Sequence, residues 1–213
     1  MSTESKEIVE RVRDLYMRYG IKSITMDDVA SQLGMSKKTL YQFVSNKEEL
    51  VGKVIDLEIE LLNKGMECPE RDNVNAIEEL LFVGKVINKK MKELNYSTLF
   101  DLKKYYPHHY ERLTNARREK MHINVIRNIE KGQHEGLYRK DLDSNIIARI
   151  QISRVEGIVD NDILSVEEFT SERFFTEIFV YHIRGIANQT GIEFLDNKMK
   201  DFDINDFNSL FKQ

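Results

Sequence analysis

Only two prolines, Pro69 and Pro107, interrupt a chain of 213 residues. Proline removes a backbone donor and breaks helices, so long stretches without proline leave helices free to form. Hydrophobic residues make up 41% and charged residues 32% of the chain, which is ordinary for a globular protein. The sequence therefore predicts an all-α fold, with room for one large domain or for a small domain joined to a larger one.

Apolar residues recur at helical spacing along most of the chain. Ile8, Val12, Leu15 and Tyr19 follow this spacing and stop at Gly20. We predict three short helices and a longer fourth within residues 4 to 65. Longer helices are expected at about 73–94, 97–105, 108–134, 144–159 and 166–190, and the tail after Gly191 is either a further short helix or a partly ordered end.

Capping residues mark the ends of the short helices. Thr25 with Asp28 has the spacing of a capping box, and Gly34 is suited to end that helix. Ser36 is expected to cap the next helix. Either Ser45 or Asn46, together with Glu48, is expected to cap the fourth. A helix, a tight turn at glycine and a second short helix form the helix-turn-helix pattern, in which the second helix enters the DNA major groove.

The charge distribution allows a local DNA-binding surface. The formal net charge is −4, but residues 1 to 55 hold nine Lys/Arg against eight Asp/Glu. A nucleic-acid footprint must therefore be a patch rather than a property of the whole chain. The stretch "GMSKKTLYQFVSNKEEL" provides one, because Lys37, Lys38 and Tyr41 fall on one face of the third helix and Leu40 on the other. Gln42 and Phe43 add an amide and a ring that suit base edges and thymine methyl groups.

The segment "GIKSITMDDVASQLGMSKKTLYQFVSNKEEL" resembles the DNA-binding domain of the TetR family of bacterial transcriptional repressors. The resemblance rests on a threonine that begins the second helix, a hydrophobic-alanine pair, a glycine turn, a tyrosine-aromatic run, and a lysine and leucine at the start of the fourth helix. These positions are Thr25, Val29 with Ala30, Gly34, Tyr41, Phe43, Lys47 and Leu50.

The resemblance implies roles for individual residues. Thr25, Tyr41 and Lys47 would contact phosphates, and residues 36 to 43 would read or approach bases. The predicted DNA-binding set is Thr25, Ser36, Lys37, Lys38, Thr39, Tyr41, Gln42, Phe43 and Lys47. Three positions depart from the family pattern: Gln42 replaces a frequent histidine, Lys38 a small residue and Val44 a phenylalanine. The first two are expected to alter operator preference, and Val44 to loosen the junction of the third and fourth helices.

By the same resemblance, residues 1–47 form the DNA-binding domain and residues 48–213 a larger helical domain for ligand binding and dimerisation. The last long helix is apolar nearly all round, so we expect a second subunit to cover one side of it. The expected dimer contacts are Phe175, Phe179, His182 and Ile186. An apolar or amphipathic ligand is expected between the 73–94 and 108–134 helices, near Met66, Phe82, Phe100, Tyr110, Met121 and Val155.

Other classes of function find little support in the sequence. No phosphate-binding glycine loop, zinc-hydrolase pair or nucleophile elbow occurs, so we expect no enzyme, no cofactor and no metal. Adjacent His108 and His109 suit a hinge at Pro107 better than a metal site. We assign no role to Cys68, the single cysteine. Neither a signal peptide nor a membrane span is visible in the sequence, so we expect a cytoplasmic location.

The sequence thus predicts a homodimeric, ligand-responsive repressor that binds a palindromic DNA operator. The alternative is a helical small-molecule-binding or signalling protein that keeps the fold without binding an operator.

Overall fold

The computed structural model describes residues 3–65, 74–93, 96–159, 168 and 171–200. In this part of the chain we number ten α-helices, which confirms the predicted all-α class. They are α1 (Thr3–Tyr19), α2 (Met26–Leu33), α3 (Lys37–Phe43), α4 (Lys47–Gly65), α5 (Ala76–Glu93), α6 (Tyr96–Tyr105), α7 (Pro107–His134), α8 (Ser144–Val159), α9 (Glu172–Ile186) and α10 (Gln189–Lys198).

The predicted helix at 166–190 is wrong at its C-terminal end. Helix α9 stops at Ile186, and α10 begins at Gln189. The break arises from tertiary contacts, because Ala187 forms an antiparallel bridge with Tyr138 and the Asn188 amide nitrogen donates to the carbonyl of Leu137 at 3.0 Å. Asn188 then caps α10 by accepting from the amide of Gly191. A Cβ at Gly191 would lie 2.2 Å from the Leu137 carbonyl oxygen, so the close approach requires glycine.

The chain divides into two compact units. The first contains Met1–Gly65 and Leu94–Arg117, and the second contains Met66–Glu93 and Arg118–Gln213. Helices α4, α6 and the start of α7 therefore belong to the same unit as α1 to α3. The functional boundary that we predict at residue 47 does not coincide with this division and stays a prediction.

The first unit has one continuous core. Residues of α1, α2, α3, α4, α6 and the start of α7 bury their apolar side chains together, among them Val12, Val29, Leu40, Leu50, Leu102 and Leu113. Two ion pairs, Lys6 with Glu60 and Arg13 with Glu58, also join α1 to α4. Because α3 contributes only Leu40 as a fully buried residue, its other faces remain outside the core.

The second unit has its own core around α5, α9 and Tyr138, which is fully buried. The Tyr138 hydroxyl donates to Asn128 Oδ1 at 3.2 Å, and Asn128 Nδ2 donates to the carbonyl of Ala76 at 2.8 Å. Nearly buried Glu79 accepts from Arg127 and Lys131 of α7. These polar contacts fix α5 against the C-terminal half of α7.

Candidate nucleic-acid interface

Helix α2 and the turn after it are held by caps at both ends. The Thr25 side chain accepts from the Asp28 amide, and the Asp28 carboxylate accepts from the Thr25 amide at 2.8 Å, so the predicted capping box is present. Gly34 adopts the left-handed conformation with φ 70°, which an L side chain would strain. The Met35 amide donates back to the Ala30 carbonyl at 3.0 Å. The turn therefore sets the direction in which α3 leaves α2.

Helix α1 secures the same turn from outside. Arg11 Nη2 donates to the Gln32 carbonyl at 2.7 Å and Arg11 Nη1 to the Leu33 carbonyl at 3.5 Å. Carbonyls at the end of a helix lack partners within it, so the guanidinium satisfies groups that would otherwise need water. The position of α3 is thus fixed by contacts on two sides of the turn.

Helix α3 presents a polar and aromatic surface. Ser36 caps it by accepting from the Thr39 amide at 3.0 Å, while the Ser36 and Thr39 hydroxyls lie 2.7 Å apart. Lys37, Lys38, Tyr41 and Gln42 are exposed, and Leu40 is fully buried beneath them. The N-terminal end of α3 therefore combines two cations, two hydroxyls and unsatisfied backbone amides, a set that attracts phosphate or base acceptors.

The two lysines differ in their surroundings. Lys37 Nζ lies 2.7 Å from Asp27 Oδ1, and this ion pair is exposed. Its hydrogen bond to Asp27 raises the pKa of Lys37. No carboxylate pairs with Lys38 in the described part of the chain. Lys38 is thus the more available cation for a ligand that approaches α3.

Thr25 and Lys47, two of the predicted phosphate contacts, are both associated with the α1–α2 turn: Thr25 ends the turn, and Lys47 at the start of α4 contacts it. The Thr25 hydroxyl donates to Asp28 Oδ2 at 2.6 Å, which lowers the pKa of Asp28. Lys47 Nζ donates to the Lys22 carbonyl at 3.4 Å. Partial burial lowers the pKa of Lys47, opposed by the nearby carboxylates of Asp101 and Asp28.

The end of α3 is joined to α4 by a buried valine and a polar cap. Val44 is buried and donates its amide to Leu40. Asn46 caps α4 by accepting from the Glu49 amide at 2.8 Å, and Glu49, rather than the predicted Glu48, accepts from the Ser45 amide at 2.7 Å. Phe43 is half-buried and packs on the core of the first unit beneath Lys53. Phe43 is therefore less available to DNA than Tyr41.

These helices correspond to a known domain. The sequence pattern of the family described as "Bacterial regulatory proteins, tetR family" matches residues 8–54, from α1 into α4. Residues 8–54 thus carry the pattern of the TetR-family DNA-binding domain. This family consists of transcriptional regulators and not of enzymes, which confirms the expected class. The uncharacterized HTH-type transcriptional regulator YvaF of Bacillus subtilis (strain 168) is 36% identical over 90 residues, which are 42% of this chain and 46% of the relative. The match spans about half of that relative's length.

Solved structures extend the similarity in fold to most of the chain. A transcriptional regulator from Cytophaga hutchinsonii ATCC 33406 has a TM-score of 0.70 at 18% identity, over 86% of this chain and 98% of that one. A regulator from Saccharomonospora viridis, solved in complex with choline, has a TM-score of 0.66 at 17% identity, over 89% of this chain and 100% of that one. The helical region after the helix-turn-helix therefore shares the fold of these regulators.

The predicted ligand residues are divided between the two compact units. Phe82, Met121 and Val155 are half-buried in the second unit, whereas Tyr110 packs on the core of the first. Phe100 is 59% exposed on α6, so it is not the inward-facing residue that we expected. Met66 lies outside the described residues. The proposed ligand site stays a prediction.

The predicted dimer residues need correction. Phe179 and Ile186 are buried in the core of the second unit, so they do not point outward as expected. His182 is half-buried, and of Phe175 only its place on α9 is described. The outward positions on α8 and α9 are instead Ile146, Ile150 and Tyr181. The sequence missed them because α9 is apolar nearly all round, and because the isoleucines of α8 look like core residues.

A cleft of about 130 Å³ lies between α8 and α9. Its lining includes Ile150, Arg154, Tyr181 and His182. Arg154 Nη2 donates to Gln151 Oε1 at 2.6 Å, but buried Arg154 Nε has no acceptor among the described residues. Burial, with a smaller effect of Arg154, lowers the pKa of His182 to about 4. The cleft thus offers an arginine donor within an apolar rim.

His108 and His109 lie at the start of α7, where Pro107 occupies the first helical position, which suits its fixed φ and missing N–H. The hinge stays a prediction. Their rings are 5.6 Å apart, and His109 Nδ1 lies 3.3 Å from Arg112 Nη1. The arginine neighbour makes this an unfavourable place for a metal cation. Among the described helices, none has the length and apolar character that a membrane crossing requires.

Proposed function

We propose that the chain is a homodimeric transcriptional repressor whose two α3 helices enter successive major grooves of a palindromic operator. The observation that carries this proposal is the surface of α3. Lys38, Tyr41 and Gln42 stand exposed above Leu40, on a helix whose direction is fixed by the Gly34 turn. A short helix held this way has the geometry with which helix-turn-helix proteins read base edges.

The proposed roles follow from the chemistry of each side chain. Tyr41 and Lys47 would bind phosphates and fix the register, since a phenol and an ammonium donate to phosphate oxygens without reading sequence. Lys38 and Gln42 would read bases, because an ammonium suits the acceptors of guanine and an amide those of adenine. Lys37 would contribute less to DNA binding, because its ammonium already forms an ion pair with Asp27.

The face of α8 and α9 supports the homodimer. Ile146, Ile150 and Tyr181 are 57%, 56% and 75% exposed, which is costly for large apolar groups unless another surface covers them. A second copy would also bring acceptors to Arg154 Nε, which lacks one within the described chain. Cyclic two-fold pairing of identical faces is the commonest way in which such surfaces are covered.

Control by a small molecule is the remaining part of the proposal. The structural relative from Saccharomonospora viridis was solved with choline, which supports a small-molecule effector but does not identify one for this chain. An effector acts only by the difference between its affinities for the DNA-competent and DNA-incompetent conformations. We propose release of DNA on binding, with the cytoplasm of a bacterium as the compartment where operator and protein meet.

The deciding experiment is selection of bound sequences from random duplex DNA with the purified protein. We expect a palindrome with half-sites about one helical turn apart or a multiple of that distance. In titrations on the selected duplex, Lys38→Gln and Gln42→Ala should reduce discrimination at particular base pairs by about 1 to 3 kcal/mol. Lys47→Ala should weaken all sequences equally. A protein that binds no duplex at low salt would support the alternative of a small-molecule-binding protein without an operator.

The dimer is tested separately by sedimentation. Ile150→Asp should yield monomers at micromolar concentration, because a carboxylate in the covered face would lose its water. Ile123→Asp on α7 is the matched control, since Ile123 is similarly exposed at 54% but lies on another helix. Wild-type monomers, or equal behaviour of the two variants, would contradict the proposed face.

A further inference from the structure

A second cationic surface lies beside the helix-turn-helix. Lys22 in the α1–α2 turn and Lys104 near the end of α6 meet around two exposed aromatic rings, those of Phe100 and Tyr105. We call these four residues the α6 patch. All of them belong to the first compact unit, so their mutual geometry does not depend on the second.

The α6 patch is compact. Lys22 Nζ donates to the Tyr105 hydroxyl oxygen at 2.9 Å. Lys104 Nζ lies 5.3 Å from the centre of the Phe100 ring and 5.5 Å from that of Tyr105. Since the Tyr105 oxygen accepts from an ammonium, its own hydrogen remains able to donate to a further oxygen. Two ammonium groups and a phenol thus share one small area, and all three can donate to an anion.

The α6 patch is held rigidly to the helix-turn-helix. The Lys22 amide donates to Asp101 Oδ2 at 2.7 Å, and the Thr98 hydroxyl donates to the Tyr16 carbonyl at 2.6 Å. Leu102 of α6 is buried in the core of the first unit. The nearby carboxylate of Asp101 is nearly buried and accepts from the Lys22 amide, so it is less accessible than the two ammonium groups, although its charge still acts on Lys22.

The α6 patch is continuous with the proposed phosphate contacts. Lys47 Nζ donates to the Lys22 carbonyl, and Lys22 precedes Thr25 by three residues. Cations at the last turn of α6 also offset the helix dipole, which accounts for Lys104. The helix dipole explains neither Lys22, which comes from another segment, nor the exposure of Phe100 at 59% and Tyr105 at 39%.

We propose that the α6 patch binds the phosphodiester backbone of duplex DNA outside the base pairs that α3 reads. Lys22, Lys104 and Tyr105 donate to phosphate oxygens, and the footprint of each subunit extends beyond its half-site. This inference rests on the proposed operator binding. It adds a sequence-independent contact that raises affinity and salt dependence without changing which bases are preferred.

The test compares two duplexes in titrations over a range of salt concentrations. One is trimmed to the selected palindrome, and the other carries about 10 further base pairs of arbitrary sequence on either side. The parent protein should bind the longer duplex more tightly and with a steeper salt dependence. In K22Q/K104Q the slope of log affinity against log salt on the longer duplex should fall by about 3 to 4 for the dimer, at about 0.9 per phosphate contact. Its affinity for the trimmed duplex should match the parent.

Two further variants make the result specific. Tyr105→Phe keeps the ring and should lose part of the gain from the longer duplex. Lys64→Gln on α4 is a control for the loss of one exposed lysine, because Lys64 pairs with Glu60 outside the α6 patch, and its salt slope should equal that of the parent. Unchanged slopes in K22Q/K104Q, with trimmed-duplex binding intact, would overturn the proposal and leave operator binding standing. Failure of the parent on both duplexes would overturn both.

Discussion

Lys37 and Lys38 are neighbours in the sequence with different electrostatic surroundings. Asp27 holds the Lys37 ammonium at 2.7 Å, and the first turn of α2 also carries Asp28. DNA that approaches α3 must therefore displace one carboxylate from Lys37 and tolerate its negative charge near the phosphates. The ion pair of Lys37 with Asp27 could not be predicted from the sequence, because it depends on how the Gly34 turn brings α2 and α3 together.

We predict that Asp27→Asn strengthens DNA binding. The substitution removes a negative charge beside the phosphates and releases Lys37 for them, so affinity should rise on all duplex sequences and the salt slope should become steeper. Stability should change little, because exposed ion pairs contribute about 0 to 1 kcal/mol. Asp14→Asn on α1, which alters net charge equally, is the control. Equal effects of the two substitutions in fluorescence titrations would mean that only net charge matters.

His182 gives a prediction for pH. Burial, and to a lesser extent Arg154, lowers its pKa from 6.5 to about 4 in the folded chain. At pH above 6.5 the ring is neutral in both the folded and unfolded states, so it has no pH-dependent effect there. As the pH falls from 6.5 to about 4, His182 binds a proton in the unfolded state but not in the folded state. The free energy of unfolding should then fall by at most about 3 kcal/mol.

Chemical denaturation across this pH range measures the effect. In His182→Gln the free energy of unfolding should decline less steeply between pH 6.5 and 4. The difference in slope should correspond to at most one proton bound on unfolding. His134→Gln, at the exposed end of α7, should retain the parent slope. Parallel curves for the parent and His182→Gln would show that His182 is protonated normally in the folded protein.

At the scale of single helices, local signals in the sequence predicted most of what is seen. Thr25 and Ser36 cap the helices whose starts their chemistry predicted, since caps depend only on nearby backbone. Pro107, predicted as a break between two helices, is the first residue of α7. The end of α9 was missed because its partner, Tyr138, lies far away in sequence. The outward face of α9 was misassigned for a related reason: an all-round apolar helix does not show which side its own domain covers.

Gly185 allows a prediction about α9 as an element. Glycine inside a helix costs about 1 kcal/mol relative to alanine, yet an added Cβ at Gly185 would meet nothing within 4 Å among the described residues. Close approach of a second subunit would explain this glycine. We therefore expect Gly185→Ala to stabilise the isolated chain but to weaken the dimer. Denaturation of the Ile150→Asp monomer, with and without the added Gly185→Ala substitution, measures the first effect. Sedimentation of the Gly185→Ala single variant measures the second. A stabilised chain with an unchanged dimer constant would remove Gly185 from the interface.

At the scale of the whole molecule, α7 belongs to both compact units. It begins in the first and ends in the second, with the division between Arg117 and Arg118. Within the first unit, the ion pair of Arg112 with Asp56 ties α7 to α4, and α4 leads directly from the helix-turn-helix.

The proposed control of DNA binding by a small molecule makes a prediction whose test begins with the search for a ligand. A library screened by thermal shift should reveal ligands, since a compound at 100 times its dissociation constant adds about 2.7 kcal/mol to stability. Linkage then requires that operator DNA weaken the effector by the same factor by which the effector weakens DNA, and this factor is typically about 5 to 150. Calorimetric titrations of the effector, without DNA and with saturating operator, measure one factor, and DNA titrations with and without effector measure the other. A compound with identical affinity in both calorimetric titrations is bound without controlling DNA. Tighter binding in the presence of operator would instead make it a co-repressor, because it would then favour the DNA-competent conformation.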